Sequence, residues 1–311
     1  MPTIQAERLG SLAVQAIKTS TDVTVVGEVL ASFPNSFYIR TQDDQLLFFT
    51  NRALPSPITV IIGASDNFAN VIKPHEELLC QNSRLFTRNL SIDLKQVSRQ
   101  PISEDSTRRS PDFVRLVEAS EILSVILSII DTKGSALDAT LRPIHNSITD
   151  FVRNIIDLRD GEEFVAAALK IVGLGMGFTP SGDDLLLGFL LVYNSLAQTI
   201  ARAPIHLEFK HLVKRTNWIS AKLLDYAQHL LIDDQMQAVV DSISNIDQDP
   251  VLAVETLIPR GHTSGIDIAA GIVLGISVIC DAALEHERTE YIATMLGLPL
   301  EPGDSKTPLR I

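Results

Sequence analysis

Apolar and polar positions follow two different rhythms along this chain. Short runs rich in Val, Ile, Phe, Leu and Tyr occupy residues 23–30, 36–40, 46–50, 58–62 and 77–80, divided by Pro-Asn-Ser, Asp-Asp and Pro-Ser-Pro breaks. That texture predicts strands, because β-branched and aromatic residues suit a pleated half-buried surface and the breaks supply turns. Isolated hairpins are marginal, so about five to seven such strands should close into a small barrel or open sheet. Ahead of them, Ile4, Leu9, Leu12, Ala13 and Ile17 recur near helical spacing and predict one amphipathic helix over 4–18.

Beyond residue 112 the rhythm turns helical. Apolar periodicity predicts helices over 113–130, 144–158, 162–172, 184–199, 207–230 with a break near 215–217, 234–244, 251–257 and 267–285. The stretch 98–112 is polar with little to bury, and the tail carries Pro299, Pro302 and Pro308. The expected organisation is α+β: a β-rich domain with a leading helix (1–97), a linker (98–112), a larger helical domain carrying the site (113–296) and an extended tail (297–311).

Composition narrows the partners. Among 311 residues, 26 Lys and Arg face 38 Asp and Glu, a formal charge of -12 that repels phosphate backbones and argues against nucleic acid. The most membrane-like stretch, 268–280, falls short of the roughly 20 apolar residues a span requires. It reads as a buried core helix, with no membrane partner. Cys80 and Cys280 sit in apolar runs without zinc spacing, as buried thiols of a reducing compartment do. The first residues lack the basic start and apolar run of an export signal, so the expected location is the cytoplasm.

One internal match stands out. Ser181-Gly182-Asp183-Asp184, followed by an apolar run and Gly188, aligns without gaps on Ser264-Gly265-Ile266-Asp267, followed by an apolar run and Gly271, at an offset of 83 (264 against 181). Each copy has the Ser-x-x-Asp form of a capping box, which predicts two helix N-termini, with Asp184 and Asp267 turned back on their own helices. Gly188 and Gly271 remove side chains where two apolar helices can cross.

By itself a capping box is a structural feature of a core helix. Its surroundings here add chemistry. Gly173-Leu-Gly175-Met-Gly177-Phe-Thr179-Pro180 precedes the first copy, and Arg260-Gly261-His262-Thr263 the second. A glycine-rich loop feeding a helix start presents free N–H groups along the helix dipole, which suits an anion or carbonyl oxygen. If the starts face each other, Thr179, Ser181, Thr263 and Ser264 supply hydroxyls, Arg260 a cation, and Asp183 and His262 the catalytic pair. The capping carboxylates Asp184 and Asp267 favour a neutral or mixed ligand such as an amide over a full phosphate. Gly175, Gly177, Gly182, Gly261 and Gly265 complete the expected binding loops.

These residues carry a resemblance. The blocks 173–188, 215–224 (Arg215-Thr-Asn-Trp-Ile-Ser220-Ala-Lys-Leu-Leu) and 261–271 resemble those of the AllH-type subunit of oxamate carbamoyltransferase and its uncharacterised relatives. The resemblance implies a multi-subunit transferase of purine (allantoin) breakdown that exchanges a carbamoyl group between oxamate and phosphate, with further carbamoyltransferase subunits as partners. Its small-molecule partners would be of the oxamate, oxalurate or carbamoyl phosphate class, with no cofactor.

Two readings stand against it. One is a non-catalytic subunit that binds a metabolite or aids assembly. The other is a metal-dependent hydrolase using Asp183, Asp184, His262 and Asp267; two capping aspartates would leave it too few ligands, so no metal is assigned. No Gly-x-Ser-x-Gly elbow or Walker loop occurs, which disfavours serine hydrolysis and ordinary nucleotide chemistry. Arg215 reads as an ion-pair or helix-end charge and Trp218 as a core anchor.

Overall fold

A computed structural model describes residues 3–18, 20–63, 67–99, 113–131, 144–156, 161–245, 247–261 and 263–284. Nearly all of the expected linker, the whole tail and His262 lie outside them. The chain divides into two units, Met1–Arg108 with Leu231–Gln237, and Arg109–Leu230 with Ala238–Ile311. The fold class is α+β.

The first unit is built on strands β1 (Thr3–Leu9), β2 (Thr24–Phe33), β3 (Ser36–Thr41), β4 (Leu46–Thr50), β5 (Thr59–Ile62), β6 (Glu77–Gln81), β7 (Arg84–Phe86), β8 (Ser91–Asp93) and β9 (Ser98–Arg99). Their order is β5-β4-β3-β2-β6-β7-β8-β1-β9, and a β5–β1 pairing closes the first eight into a barrel, with β9 added parallel to β1. Closure leaves those eight strands without free edges. Inward-facing residues such as Val29, Phe37, Ile39, Phe49, Leu78 and Ile92 are fully buried, and Phe37 stacks on Phe49 at 4.6 Å. Short helices α1 (Ser11–Ala16) and α2 (Phe68–Val71) contribute Ala13 and Phe68 to the same core.

The leading helix expected over 4–18 is corrected here. Residues 3–9 form β1, paired with β5, β8 and β9, and only 11–16 are helical. The register of β1 against β5 slips between Ala6 and Arg8. Such a bulge breaks the two-residue period, so the buried positions Ala6 and Leu9 imitate helical spacing. Strands β7, β8 and β9 also take the sheet beyond the expected number. Each is at most three residues long, too short for alternation to be read.

Helices of the second unit are α3 (Phe113–Asp131), α4 (His145–Ile156), α5 (Gly161–Ile171), α6 (Ser181–Leu196), α7 (Phe209–Leu212), α8 (Trp218–Gln228), α10 (Pro250–Leu257) and α11 (Ser264–Leu284), while α9 (Asp234–Ser244) starts in the segment that belongs to the barrel unit. The break expected near 215–217 separates α7 from α8. Every residue of α6 except Ser195 is buried, and α11 is buried from Gly265 to Cys280. Helices apolar on all sides are central helices. Among the described residues one helix, Ser264–Ala283, is long and apolar enough to cross a membrane, but 83% of its most apolar stretch is buried inside the protein.

Phe151, Phe164, Phe189 and Tyr193 form an aromatic cluster from α4, α5 and α6, with centroids 5.3 to 6.5 Å apart. Each such pair adds about 0.5–1.5 kcal/mol beyond burial. That cluster fixes one side of α6, and α11 fixes another.

Candidate functional site

The two copies of the internal match fold as an approximate two-fold pair. A Cβ on Gly188 would overlap the carbonyl of Ile268, and a Cβ on Gly271 would overlap that of Leu185. These contacts exchange under the 83-residue offset, so α6 and α11 cross backbone to backbone through their glycines. The glycine at the second position of each copy also meets backbone: Gly182 lies against the carbonyl of Ile171, with that of Leu174 next, and Gly265 against that of Leu257, with that of Ile258 next. Both positions expected to approach a ligand are therefore filled by the helix or loop before them.

Pro180 and Thr263 occupy equivalent places too. The Pro180 carbonyl accepts from the N–H groups of Asp183 and Asp184, and the Thr263 carbonyl from those of Ile266 and Asp267. Ser181 and Ser264 are thus the first residues of their helices. The capping box, however, does not form at α6. Pro180 holds the N-cap without a side-chain bond, and the Ser181 hydroxyl is buried with no hydrogen-bond partner among the described residues. Asp184 is drawn away from its own helix start by a stronger tertiary alternative.

That alternative joins the two helix tips. Thr179 Oγ1 donates to Asp184 Oδ2 at 2.8 Å and lies 3.1 Å from Ser264 Oγ, while the Ser264 side chain also hydrogen-bonds Asp184. Three contacts close a ring, but two hydroxyls carry only two protons. The third proton is available when Asp184 is a neutral acid, which donates as well as accepts. Burial favours that form. It lifts the Asp184 carboxyl to about 7, against the hydrogen bonds of Ser264 and Thr179; the Asp267 charge assists and that of Arg260 opposes.

Asp183, expected to face a ligand, faces inward instead. Its carboxylate accepts from Gly173 N–H at 2.7 Å, Thr216 Oγ1 at 2.5 Å and Ser220 Oγ at 2.6 Å, and the residue is 1% exposed. Burial raises its proton affinity above the ordinary value, and these three bonds oppose that only in part. The geometry makes it the anchor of the glycine loop. A second tie runs from Asn217, which caps α8 by accepting from Ser220 N–H and donates its side-chain N–H to the Phe178 carbonyl.

The loop needs those anchors. Gly173, Gly175 and Gly177 all have positive φ (80, 98 and 112°), and Gly173 also lies against the Arg215 carbonyl. Gly175 in the first loop and Gly261 in the second, both with positive φ, rest over the side chains of Ser181 and Ser264 respectively. Arg215 makes no ion pair among the described residues, and its carbonyl is the group that Gly173 packs against. Trp218 is half-buried and meets Phe209 edge-on at 6.4 Å.

The structure thus brings Thr179, Asp184 and Ser264 into direct contact, with Asp267 and Arg260 near enough to act on Asp184 through their charge. Thr216, Ser220 and Asn217 were not foreseen as part of the site. Their only sequence signal was membership of the middle block, 215–224, which carries no chemistry until the fold sets it beneath the loop.

Residues 171–276 match the family model for oxamate carbamoyltransferase subunit AllH, about a third of the chain and a span that includes all three blocks. No curated protein and no solved structure matches the chain.

Proposed function

We propose that the chain is a subunit of an oxamate-type carbamoyltransferase in purine (allantoin) breakdown, and that it binds a small carboxylate or amide where the tips of α6 and α11 meet. The ring of Asp184, Thr179 and Ser264 carries this reading, and the family match over 171–276 supports it. Two hydroxyls and a carboxyl poised between acid and base can hold a ligand carbonyl and an N–H in one plane.

The chemistry follows from the proton. In transfer from oxalurate to hydrogen phosphate, a phosphate oxygen bonds to the carbamoyl carbon while the carbon–nitrogen bond breaks. The bonding electrons go to nitrogen, which takes a proton and leaves in oxamate. Asp184, lifted to about 7, gives that proton and recovers one from the hydrogen phosphate. Ser264 and loop N–H groups hold oxygens, Arg260 offsets negative charge, and His262 is the second acid–base group. Asp183 positions the loop.

The site also has the look of one completed by a neighbour. Met176 and Phe178, on either side of Gly177, are 74% and 40% exposed. A partner subunit covering that apolar loop would exclude water from the ring and strengthen its electrostatics.

Calorimetry with oxamate, oxalurate and carbamoyl phosphate tests the binding, and carbamoyl phosphate release with and without partner subunits tests the turnover. The expected result is binding by the isolated chain and turnover in the assembled enzyme that Asp184→Asn abolishes. Unchanged turnover in that variant overturns the mechanism. Binding without turnover in any assembly leaves a ligand-binding subunit in place of a catalytic one.

A further inference from the structure

The barrel unit holds a second polar hollow, unrelated to the paired helix tips. Strand register defines its floor. Ile4, Ile92, Leu85 and Cys80 lie opposite one another across β1, β8, β7 and β6; Ile92, Leu85 and Cys80 are fully buried, so this row faces the core. Side chains alternate along a strand, so the intervening rows face outward. One outward row is Thr3, Ser91 and Phe86; the next is Gln5, Asp93, Arg84 and Gln81. Over them opens a cavity of about 510 Å³, lined among others by Thr3, Ser91, Phe86, Arg84 and Lys95. That size lies within the range of small-molecule sites, about 300–1,000 Å³.

Three features of the lining point the same way. Neither Arg84 nor Lys95 is ion-paired among the described residues, although the chain carries a net charge of -12. Ser91 is 4% exposed and its hydroxyl has no hydrogen-bond partner among the described residues. A buried hydroxyl without a partner is costly, and a guest in the hollow can supply one. Phe86, half-buried in the same row, supplies an apolar wall. Asp93 shares the outward face, but its carboxylate accepts from the Lys95 backbone N–H at 2.9 Å, and its carbonyl from Gln5. Two cations, Arg84 and Lys95, against the one carboxylate of Asp93 leave the hollow with an excess of positive charge.

We infer that this cavity binds a small organic anion, a carboxylate or phosphate ester whose charged end sits between Arg84 and Lys95 with Ser91 donating to it, and whose flat apolar part rests on Phe86. It is a site separate from the one proposed at α6 and α11.

Calorimetry on the full chain with benzoate and phenyl phosphate, against phenol as the uncharged control, tests this. At least one anion should saturate at one per chain while phenol gives no saturable heat, and which anion binds more tightly separates carboxylate from phosphate ligands. Arg84→Gln with Lys95→Gln should weaken the anion at least tenfold, and Ser91→Ala by several-fold without loss of folding, since it removes an unpaired group. Asp184→Asn should leave this binding unchanged. Absence of saturation by both anions up to about 10 mM, or equal affinity in the Arg84/Lys95 double variant, overturns the inference.

Discussion

Asp184→Asn offers the sharpest test of the ring between the helix tips. The folded protein holds the Asp184 proton to about 7, against an ordinary value of 3.8. An acid whose affinity is raised by folding stabilises the folded state fully at pH values below 3.8, and that contribution is lost as the pH climbs toward about 7. At about 1.4 kcal/mol for each tenfold change in proton affinity, the loss reaches about 4 kcal/mol. The residue is 3% exposed, so solvent screening does little to reduce it. Asparagine keeps the shape, never ionises, and its NH2 group can donate where the acid O–H does. The variant should therefore match the wild type near pH about 4 and exceed it by up to about 4 kcal/mol near pH about 8. Urea unfolding across that range reads the difference, with Trp218, the sole tryptophan, reporting the helical unit. The expected shift in midpoint at alkaline pH is of the order of 1 M. Parallel stability profiles for the two proteins would refute the buried, proton-holding carboxyl, because other titrating groups are common to both and cancel.

Other consequences concern the frame around the ring. Gly271→Ala gains about 1 kcal/mol of helix propensity, but the new methyl group meets the Leu185 carbonyl, so a net loss of about 1–3 kcal/mol is expected in urea unfolding. Gly188→Ala should behave alike, and the double variant should cost less than the sum, because both methyl groups push the same crossing apart. Ser220→Ala removes one of three donors from buried Asp183 and should cost about 1.5–3 kcal/mol, with faster amide exchange at Gly173. Its effect on ligand affinity should be smaller than that of Ser264→Ala, whose hydroxyl belongs to the ring, as calorimetry with oxamate would show.

Much of the architecture was legible along the chain because it depends on local pattern. The β-then-helix layout, both helix starts at Ser181 and Ser264, the break between α7 and α8, and the glycines for a close crossing follow from hydrophobic period, turn chemistry and an unusual clustering of glycine. Where a local rule has a tertiary competitor, the sequence misled. The bulge in β1 made a strand look helical, since apolar spacing alone cannot distinguish a slipped alternation from a turn of helix. The capping box at Ser181 lost to the hydroxyls of Thr179, just before the helix, and Ser264, from the other copy, because a buried carboxyl group gains more from partners in a dry interior than from one terminal N–H.

The sequence by itself determined that two like helix starts exist and that each follows a loop rich in unusual backbone. Only the tertiary structure decided that they touch, that Asp183 is an anchor where a ligand group was expected, and that Asp184 holds its proton near neutrality. The reason is physical. Helix and strand formation depend on neighbours a few positions away, whereas desolvation and hydrogen bonding of a carboxylate depend on whatever residues, here Thr179 and Ser264, the folded chain packs around it.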